Sequence, residues 1–370
     1  MGKIILKTFT LADIPPNGLL DLYEDPNGYL APNNSAWVKL LRENPHAKPD
    51  DLVMLLAIDQ EEDGSESVVG RLGVLATAWS INGQEHRIHE MDGFFLDESR
   101  RQTGAGAMII LHAIARCKTM LACGGPSADA QKLYKAAGMK EIGPLKRWVY
   151  FLSGRPVAKK VLKSDFLANA LSLPAGLAAR AMYTLRGAQS RAKLEYKKVD
   201  RFDSRIDAVV AASRRSFFPR DSRVLNWALA HRRIKAFEVS ERGTLIGFVL
   251  LKRSILDATQ HGLGRVCVGN VLDYFLADET RDRKRDLALF TLRHFESDPG
   301  DGDLPSEQGR VEVIEFQVFD PEFDAILKGM GLLHAGGLRV LFRPPPGASF
   351  DQNTPWFFTH ASGDMLLMKP

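Results

Sequence analysis

Cysteine is scarce in this chain: three among 370 residues, at Cys117, Cys123 and Cys267. Three scattered thiols cannot build a disulfide framework or the paired spacing of a zinc site. The scarcity suits a reducing compartment, so a cytoplasmic location is expected and no metal is. A long apolar run is also missing. The most apolar stretch, residues 167–183, is interrupted by Pro174, Gly176 and Arg180, which does not read as a transmembrane helix. The opening MGKIIL enters a strand-like pattern directly, without a leader profile. Leu6 stands where a myristoylation motif wants Ser or Thr. Strong net charge is absent too, at +4, while hydrophobic residues make up 45% and charged residues 25%. That is the balance of a soluble globular protein, and the length is that of two domains.

The charge is unevenly spread. Residues 155–201 carry eleven Lys/Arg against Asp165, Glu195 and Asp200. Residues 154–192 are also rich in Ala and Leu and broken by Pro156, Pro174 and Gly176. The segment reads as a basic helical linker with a solvated face. It is also the one stretch suited to weak contact with an anionic membrane; DNA is not an expected partner.

Periodicity divides the rest into strands and helices. Strands are expected at 3–9, 52–58, 68–79, 84–96, 119–123 and 140–152. Helices are expected at 14–23, 35–42, 104–117 and 129–137, the last stopped by Gly138. After the linker, strands fall at 237–239, 244–251, 266–276, 311–318 and 339–342, and helices at 286–295 and 322–328. The expected fold class is α/β with mixed, mostly antiparallel sheets flanked by helices. The expected division is 1–153, a linker at 154–192, and 193–370.

The two parts repeat each other. DGFFLDESR runs from Asp92 to Arg100 and DYFLADETR from Asp273 to Arg281, with equal spacing between Asp and Arg. YKAAGM, beginning at Tyr134, is matched in order by LKGMGL, beginning at Leu327. The copies diverge where chemistry is expected. The first continues Arg101-Gln102-Thr103-Gly104-Ala105-Gly106 into a helix. Two glycines there let the backbone curl around an anion, with the helix N–H groups and dipole directed at it. The second copy has Asp282, Arg285 and Leu287 at those positions and cannot cradle a pyrophosphate in that way.

The R-x-x-G-x-G pattern after a strand resembles the acyl-CoA pyrophosphate loop of the GNAT acetyltransferase superfamily. Three further features agree: the element order of residues 1–152, the Y-x-x-x-G-Φ segment at Tyr134, and Glu90 eleven residues before Arg101. Tandem arrangements of this kind are known from mycothiol synthase-like enzymes, N-myristoyltransferases and peptidoglycan aminoacyl transferases. The resemblance implies that Arg101, Gly104, Ala105, Gly106 and Ala107 bind the pyrophosphate of acetyl-CoA or another acyl-CoA. It implies that Phe95 and Leu96 align the pantetheine arm. Tyr134 would be the general acid toward sulfur and Glu90 the general base, with Asp92 a substitute. The asparagine expected before the tyrosine helix is Ser127 here.

The second copy has features of its own. Trp227, Arg232 and Arg233 share one short helical stretch and suggest a grip on an anionic acceptor; the plainer reading is a helix with a basic solvent face. The tail Trp356-Phe357-Phe358-Thr359-His360 must pack back somewhere, and the cleft between domains is the expected place. It resembles closing segments of tandem members in bacterial surface-glycan and cell-envelope pathways. The expectation is acyl transfer to an amine or hydroxyl acceptor, a small molecule, glycan or peptide, bound between the domains. Two other readings stay open: a CoA-binding regulatory protein without catalysis, and a transfer-RNA-dependent aminoacyl transferase.

Overall fold

A computed structural model describes residues 3–23, 30, 34–122, 126–153, 181, 192–213, 215–218, 220–231, 233–258, 264–297, 310–344 and 356–359. The basic linker lies almost wholly outside them. The N-terminal copy contains β1 (Lys3–Thr10), α1 (Ser35–Arg42), β2 (Leu52–Gln60), β3 (Glu66–Ile81), β4 (Gln84–Leu96), α2 (Ala105–Cys117), β5 (Met120–Ala122), α3 (Ala128–Ala136) and β6 (Lys140–Phe151). The C-terminal copy contains β7 (Leu194–Val199), α4 (Arg205–Ala211), β8 (Ser216–Phe217), α5 (Ser222–His231), β9 (Lys235–Glu241), β10 (Thr244–Ala258), β11 (Gly264–Leu276), α6 (Arg281–Ser297), β12 (Val313–Val318), α7 (Pro321–Gly329), β13 (Leu333–Arg343) and β14 (Trp356–Phe357).

Local chemistry accounts for most of these boundaries. Asn34 caps α1 by accepting the N–H groups of Ala36 and Trp37. Asn82-Gly83 and Arg242-Gly243 both have positive φ, the requirement of the tight hairpin turns joining β3 to β4 and β9 to β10. The helix expected at 14–23 is only a 3-10 turn at Leu19–Asp21. Pro15 and Pro16 lack the N–H groups that would continue it.

One continuous sheet runs through both copies, in the order β1-β2-β3-β4-β5-β13-β6-β12-β11-β10-β9-β7. β4 with β5 and β11 with β12 are parallel pairs. The last strand of each copy has crossed into the other. β13 pairs with β5, β6 pairs with β12, and β6 and β13 pair with each other. The expected boundary at residue 153 therefore separates the copies in sequence only. Lys146 and Trp148 of β6 donate to buried Asp324 of α7, and Arg147 donates to Glu315 of β12.

The two copies superpose in register. Gly70 pairs with Leu96 and Gly247 with Leu276; Gly73 pairs with Asp92 and Leu250 with Asp273. The aspartates of the sequence repeat are thus equivalent. Three residues separate Asp92 from Leu96 and two separate Asp273 from Leu276, because the one-residue bulge that each copy carries follows Asp92 in the first and precedes Asp273, at Leu272, in the second. The first bulge includes Gly93 at φ +58°. The equal Asp-to-Arg spacing is a compensation: counted from the paired leucines, Arg100 corresponds to Thr280, not Arg281. The second repeated segment agrees in detail. Gly138 and Gly331 both have positive φ, and the N–H groups of Met139 and Leu332 reach back to the carbonyls of Tyr134 and Leu327, the same helix stop in both copies.

Because each copy's sheet is completed by the other's last strand, neither should fold alone. Residues 1–153 expressed by themselves are expected to be aggregated or unfolded. Co-expression with 193–370 should restore a soluble complex with native circular dichroism. A folded, monomeric N-terminal fragment would disprove the exchange.

Candidate functional site

The sheet of the N-terminal copy has two covered faces. On one, α2 and α3 pack Ile109, Ile110, Ala113, Ala130 and Tyr134 against Leu55, Leu72, Val74 and Met91. On the other, α1 is joined by residues of the C-terminal copy and the tail, which meet Leu75, Trp79 and Ile88. The pairing of β4 with β5 ends at Met91 and Ala122, whereas β4 continues to Leu96. The two strands thus part beyond Met91, and α2 begins beside the gap.

Gly104 precedes α2 in the left-handed region, at φ +81°, and provides no side-chain cap. A Cβ placed on it would meet no atom within 4 Å. The first N–H groups of a helix have no carbonyl within it. Ala105 turns its own toward the Thr103 hydroxyl, at 3.4 Å. Ala105 is fully buried and Ala107 half-buried. Gly106 is a close-contact glycine: a Cβ there would lie 3.3 Å from Leu133, 3.4 Å from Leu96 and 3.5 Å from Phe94. Arg101 is exposed and 3.9 Å from Glu98. The neighbouring Arg100 is instead tied to buried Asp59. Phe95 is half-buried and Leu96 buried at the end of β4. Tyr134 is buried on α3 with its ring 6.1 Å from Phe94.

Glu90 lies on the opposite face of β4 from Tyr134. Only 1% of it is exposed, and its Oε1 accepts the Trp79 indole N–H at 2.9 Å. Burial pushes its carboxyl up to about 8; the Trp79 hydrogen bond counteracts part of the rise and the charge of Asp92 adds to it. His89 faces the α2 side near Asp51, and burial lowers its pKa. Sequence spacing finds Glu90 but not Trp79 or the tail. The Asn82-Gly83 turn is the signal that would have folded β3 and Trp79 back over Glu90.

In the C-terminal copy the corresponding place is closed. The Thr280 hydroxyl caps α6 by accepting the Arg283 N–H. Lys284 is buried at the start of α6, 2.9 Å from Glu322, 3.4 Å from Glu279 and against Asp320. Arg215 grips Glu279 through two bonds of 2.6 and 2.9 Å. Leu327 stands at the position of Tyr134. One leading N–H of α6 is thus satisfied, and paired charges surround its first turn.

The residues expected to hold an acceptor are placed differently. Trp227 is buried against the N-terminal copy and donates to the Leu40 carbonyl at 3.0 Å. It docks the two copies on the face away from α2 and does not share a groove with Gly104. Arg233 is exposed, and Arg232 lies outside the described residues. The tail does lie between the copies. Phe358 packs on Trp79 at 5.0 Å, while Phe357 packs on Tyr274 at 5.3 Å. Thr359 donates to Asp273, which buried Arg220 also holds. No helix among the described residues is long and apolar enough to cross a membrane.

No protein-family model matches the sequence, and no curated protein matches it. Solved structures do. A GCN5-related N-acetyltransferase from Anabaena variabilis aligns over 92% of this chain and 72% of its own, with a TM-score of 0.50 and 11% identity. Saccharomyces cerevisiae N-myristoyltransferase with bound myristoyl-CoA aligns over 95% and 87%, with a TM-score of 0.53 and 13% identity. The chain has the tandem GNAT fold: two mixed α/β copies, the first opening α2 at Gly104, the second with a threonine cap and an ionic cluster at the corresponding helix start.

The Glu90 carboxyl makes stability depend on pH with a definite sign. An unfolded glutamate titrates near about 4.3, so the folded chain holds the extra proton between there and about 8. Native protein then binds more protons than unfolded chain, and stability falls as pH rises through this window. Glu90→Gln should remove that slope and raise the melting temperature relative to wild type at pH 8 to about 9. Parallel melting curves across pH for the two proteins would refute a buried protonated Glu90.

Proposed function

We propose that this protein is an acyltransferase that moves an acetyl or other acyl group from acyl-CoA to an amine or hydroxyl acceptor, with the chemistry in the N-terminal copy. One observation carries the reading. Two copies of one fold differ at the same place, and only the first opens its helix at a glycine with free space around it, where the second sets a buried lysine among carboxylates. An uncapped start with room around Gly104 suits a pyrophosphate, because N–H groups and the helix dipole favour negative charge. The structural neighbours are, by name, an N-acetyltransferase and an N-myristoyltransferase carrying myristoyl-CoA.

The backbone of Gly104, Gly106 and Ala107 holds the pyrophosphate, with exposed Arg101 as a nearby cation. Phe95 and Leu96 flank the pantetheine arm where β4 leaves β5. The CoA thioester supplies an activated acyl carbon with a thiolate leaving group. The acceptor nitrogen bonds to that carbon as the C–S bond breaks, its proton passes to Glu90, and the sulfur takes a proton from the Tyr134 hydroxyl. Glu90 must be ionised for this, and burial holds it protonated below about 8. Turnover therefore rises with pH toward that value. A second reading, CoA binding without turnover, is favoured by the packed rings that cover Glu90.

Acetyl-CoA should raise the melting temperature of the native protein, and Gly104→Asp with Gly106→Val should abolish that rise. An unchanged shift in the double variant would remove the site from this loop. Tyr134→Phe should lower kcat on the order of 100-fold with little change in KM for acetyl-CoA, because a proton donor acts in the transition state. For the acceptor, kcat/KM should fall about tenfold per pH unit below about 8, and Glu90→Gln should flatten that limb. Binding of acetyl-CoA with no thiol release at any pH would establish the second reading.

A further inference from the structure

Among the buried side-chain polar atoms with no hydrogen-bond partner among the described residues, Glu90 Oε2 and Thr77 Oγ1 of the N-terminal copy and Trp356 Nε1 of the tail fall together. They surround one side chain. Thr77 and Trp79 are two apart on β3 and share a face. Leu75 pairs with Glu90 and Thr77 with Ile88, so Thr77 and Glu90 share that face as well. The Trp79 indole reaches back along the sheet to Glu90, at 2.9 Å, and the Trp356 ring lies 6.2 Å from the Trp79 ring. Glu90 is 1% and Thr77 2% exposed. An unpaired buried polar atom is costly, and native proteins tolerate few. Three around one tryptophan mark a place where a ligand completes the bonding.

Their chemistry restricts that ligand. An ionised carboxylate only accepts, an indole N–H only donates, and a hydroxyl does either. A matching group offers N–H donors to Glu90 and Thr77 and an acceptor atom to Trp356. The enclosing rings are Trp79, Phe218, Phe342 and Phe358, and aromatic faces attract an ammonium. The place is also the right one. Glu90 is one residue from the end of the β4–β5 pairing, on the face opposite α2. Among the rings packed on Trp79, Phe218 and Phe358 are buried, and only Trp356 reaches solvent. The tail beyond it is fixed by Thr359 on Asp273 and Arg220. A ligand that reaches Glu90 from this side meets Trp356 first.

We propose that Trp356 contacts the acceptor, holding it jointly with Glu90 and Thr77, and that the acceptor is a primary amine with an oxygen atom close to the nitrogen, of the amino-alcohol or amino-amide class. The inference rests on the acyl-transfer reading and names the acceptor for that site. It also makes the tail, which follows the second copy in sequence, part of the first copy's site.

The test measures thiol release from acetyl-CoA with ethanolamine, glycinamide and propylamine as probes, for wild type, Trp356→Phe and Thr77→Val. Thr77→Val keeps the shape and removes the hydroxyl; Trp356→Phe keeps an aromatic ring and removes the indole N–H. Wild type should prefer ethanolamine or glycinamide to propylamine. Trp356→Phe should raise the KM of the oxygen-bearing amines about tenfold, the loss of one hydrogen bond. The KM values for propylamine and acetyl-CoA should not move. Thr77→Val should raise the KM of all three amines. Equal KM values in wild type and Trp356→Phe, or no preference over propylamine, would overturn the proposal. So would a wild type that binds acetyl-CoA and turns over none of the three. Absence of acetyl-CoA binding, read by thermal shift, would overturn the acyl-transfer reading itself.

Discussion

The exchange of last strands is the constraint from which the rest of the molecule follows. β5 is three residues long and pairs with β4 on one side only. Its other edge carries backbone groups that must be paired if buried. β13 supplies that partner from the far end of the chain, and β6 does the same for β12. The central β6–β13 pair therefore belongs to both copies. One sheet results, its main path running from β1 to β7 with β8 and β14 as a side branch. β7 presents Lys197 and Lys198, charges of the kind that discourage further strand addition.

A shared sheet brings the copies into contact on the face away from α2. Trp227 enters there and settles its indole on the Leu40 carbonyl, and the tail crosses with Phe358 in one copy and Phe357 in the other. The C-terminal copy thus completes the first copy's core rather than presenting an open groove to solvent. Its own gap is filled by an ionic cluster around Lys284 and Glu279. A buried charge left alone is costly, so such a cluster persists only when each member has a partner. Burial still raises the Glu279 carboxyl pKa, against the pull of Arg215.

The two helix starts show how little separates an anion site from a structural joint. Gly104 gives its helix no side-chain cap and has open space around it, while Thr280 caps its helix and Lys284 buries a cation among carboxylates. The position of the bulge, at Gly93 in the first copy and Leu272 in the second, adds a second difference where β4 and β5 part. Bulges redirect side chains at such places: Phe94 reaches the α2 face beside Tyr134, while Glu90 stays on the other.

The sequence by itself determined the repeat, the hairpin turns, the Gly104 helix start and the loss of that start in the second copy. Each depends on residues adjacent in the chain: a glycine where φ is positive, an apolar stripe, an aspartate at a fixed offset from a strand end. Glu90 and Tyr134 came forward as candidates by resemblance, Glu90 through its distance from Arg101 and Tyr134 through the segment that ends at Gly138 and Met139. The equivalence of Arg100 and Arg281 was misread because one inserted residue and one deleted residue cancel in a count and only register separates them. Trp227 looked like a ligand contact because an aromatic beside arginines gives no sign of which face is buried. Tertiary structure alone decided that β6 leaves its own copy, that Trp79 folds over Glu90, and that Trp356 arrives beside both from nearly three hundred residues away. Those outcomes depend on which backbone edges and apolar faces remain uncovered after the local elements form, and no short stretch of sequence records that.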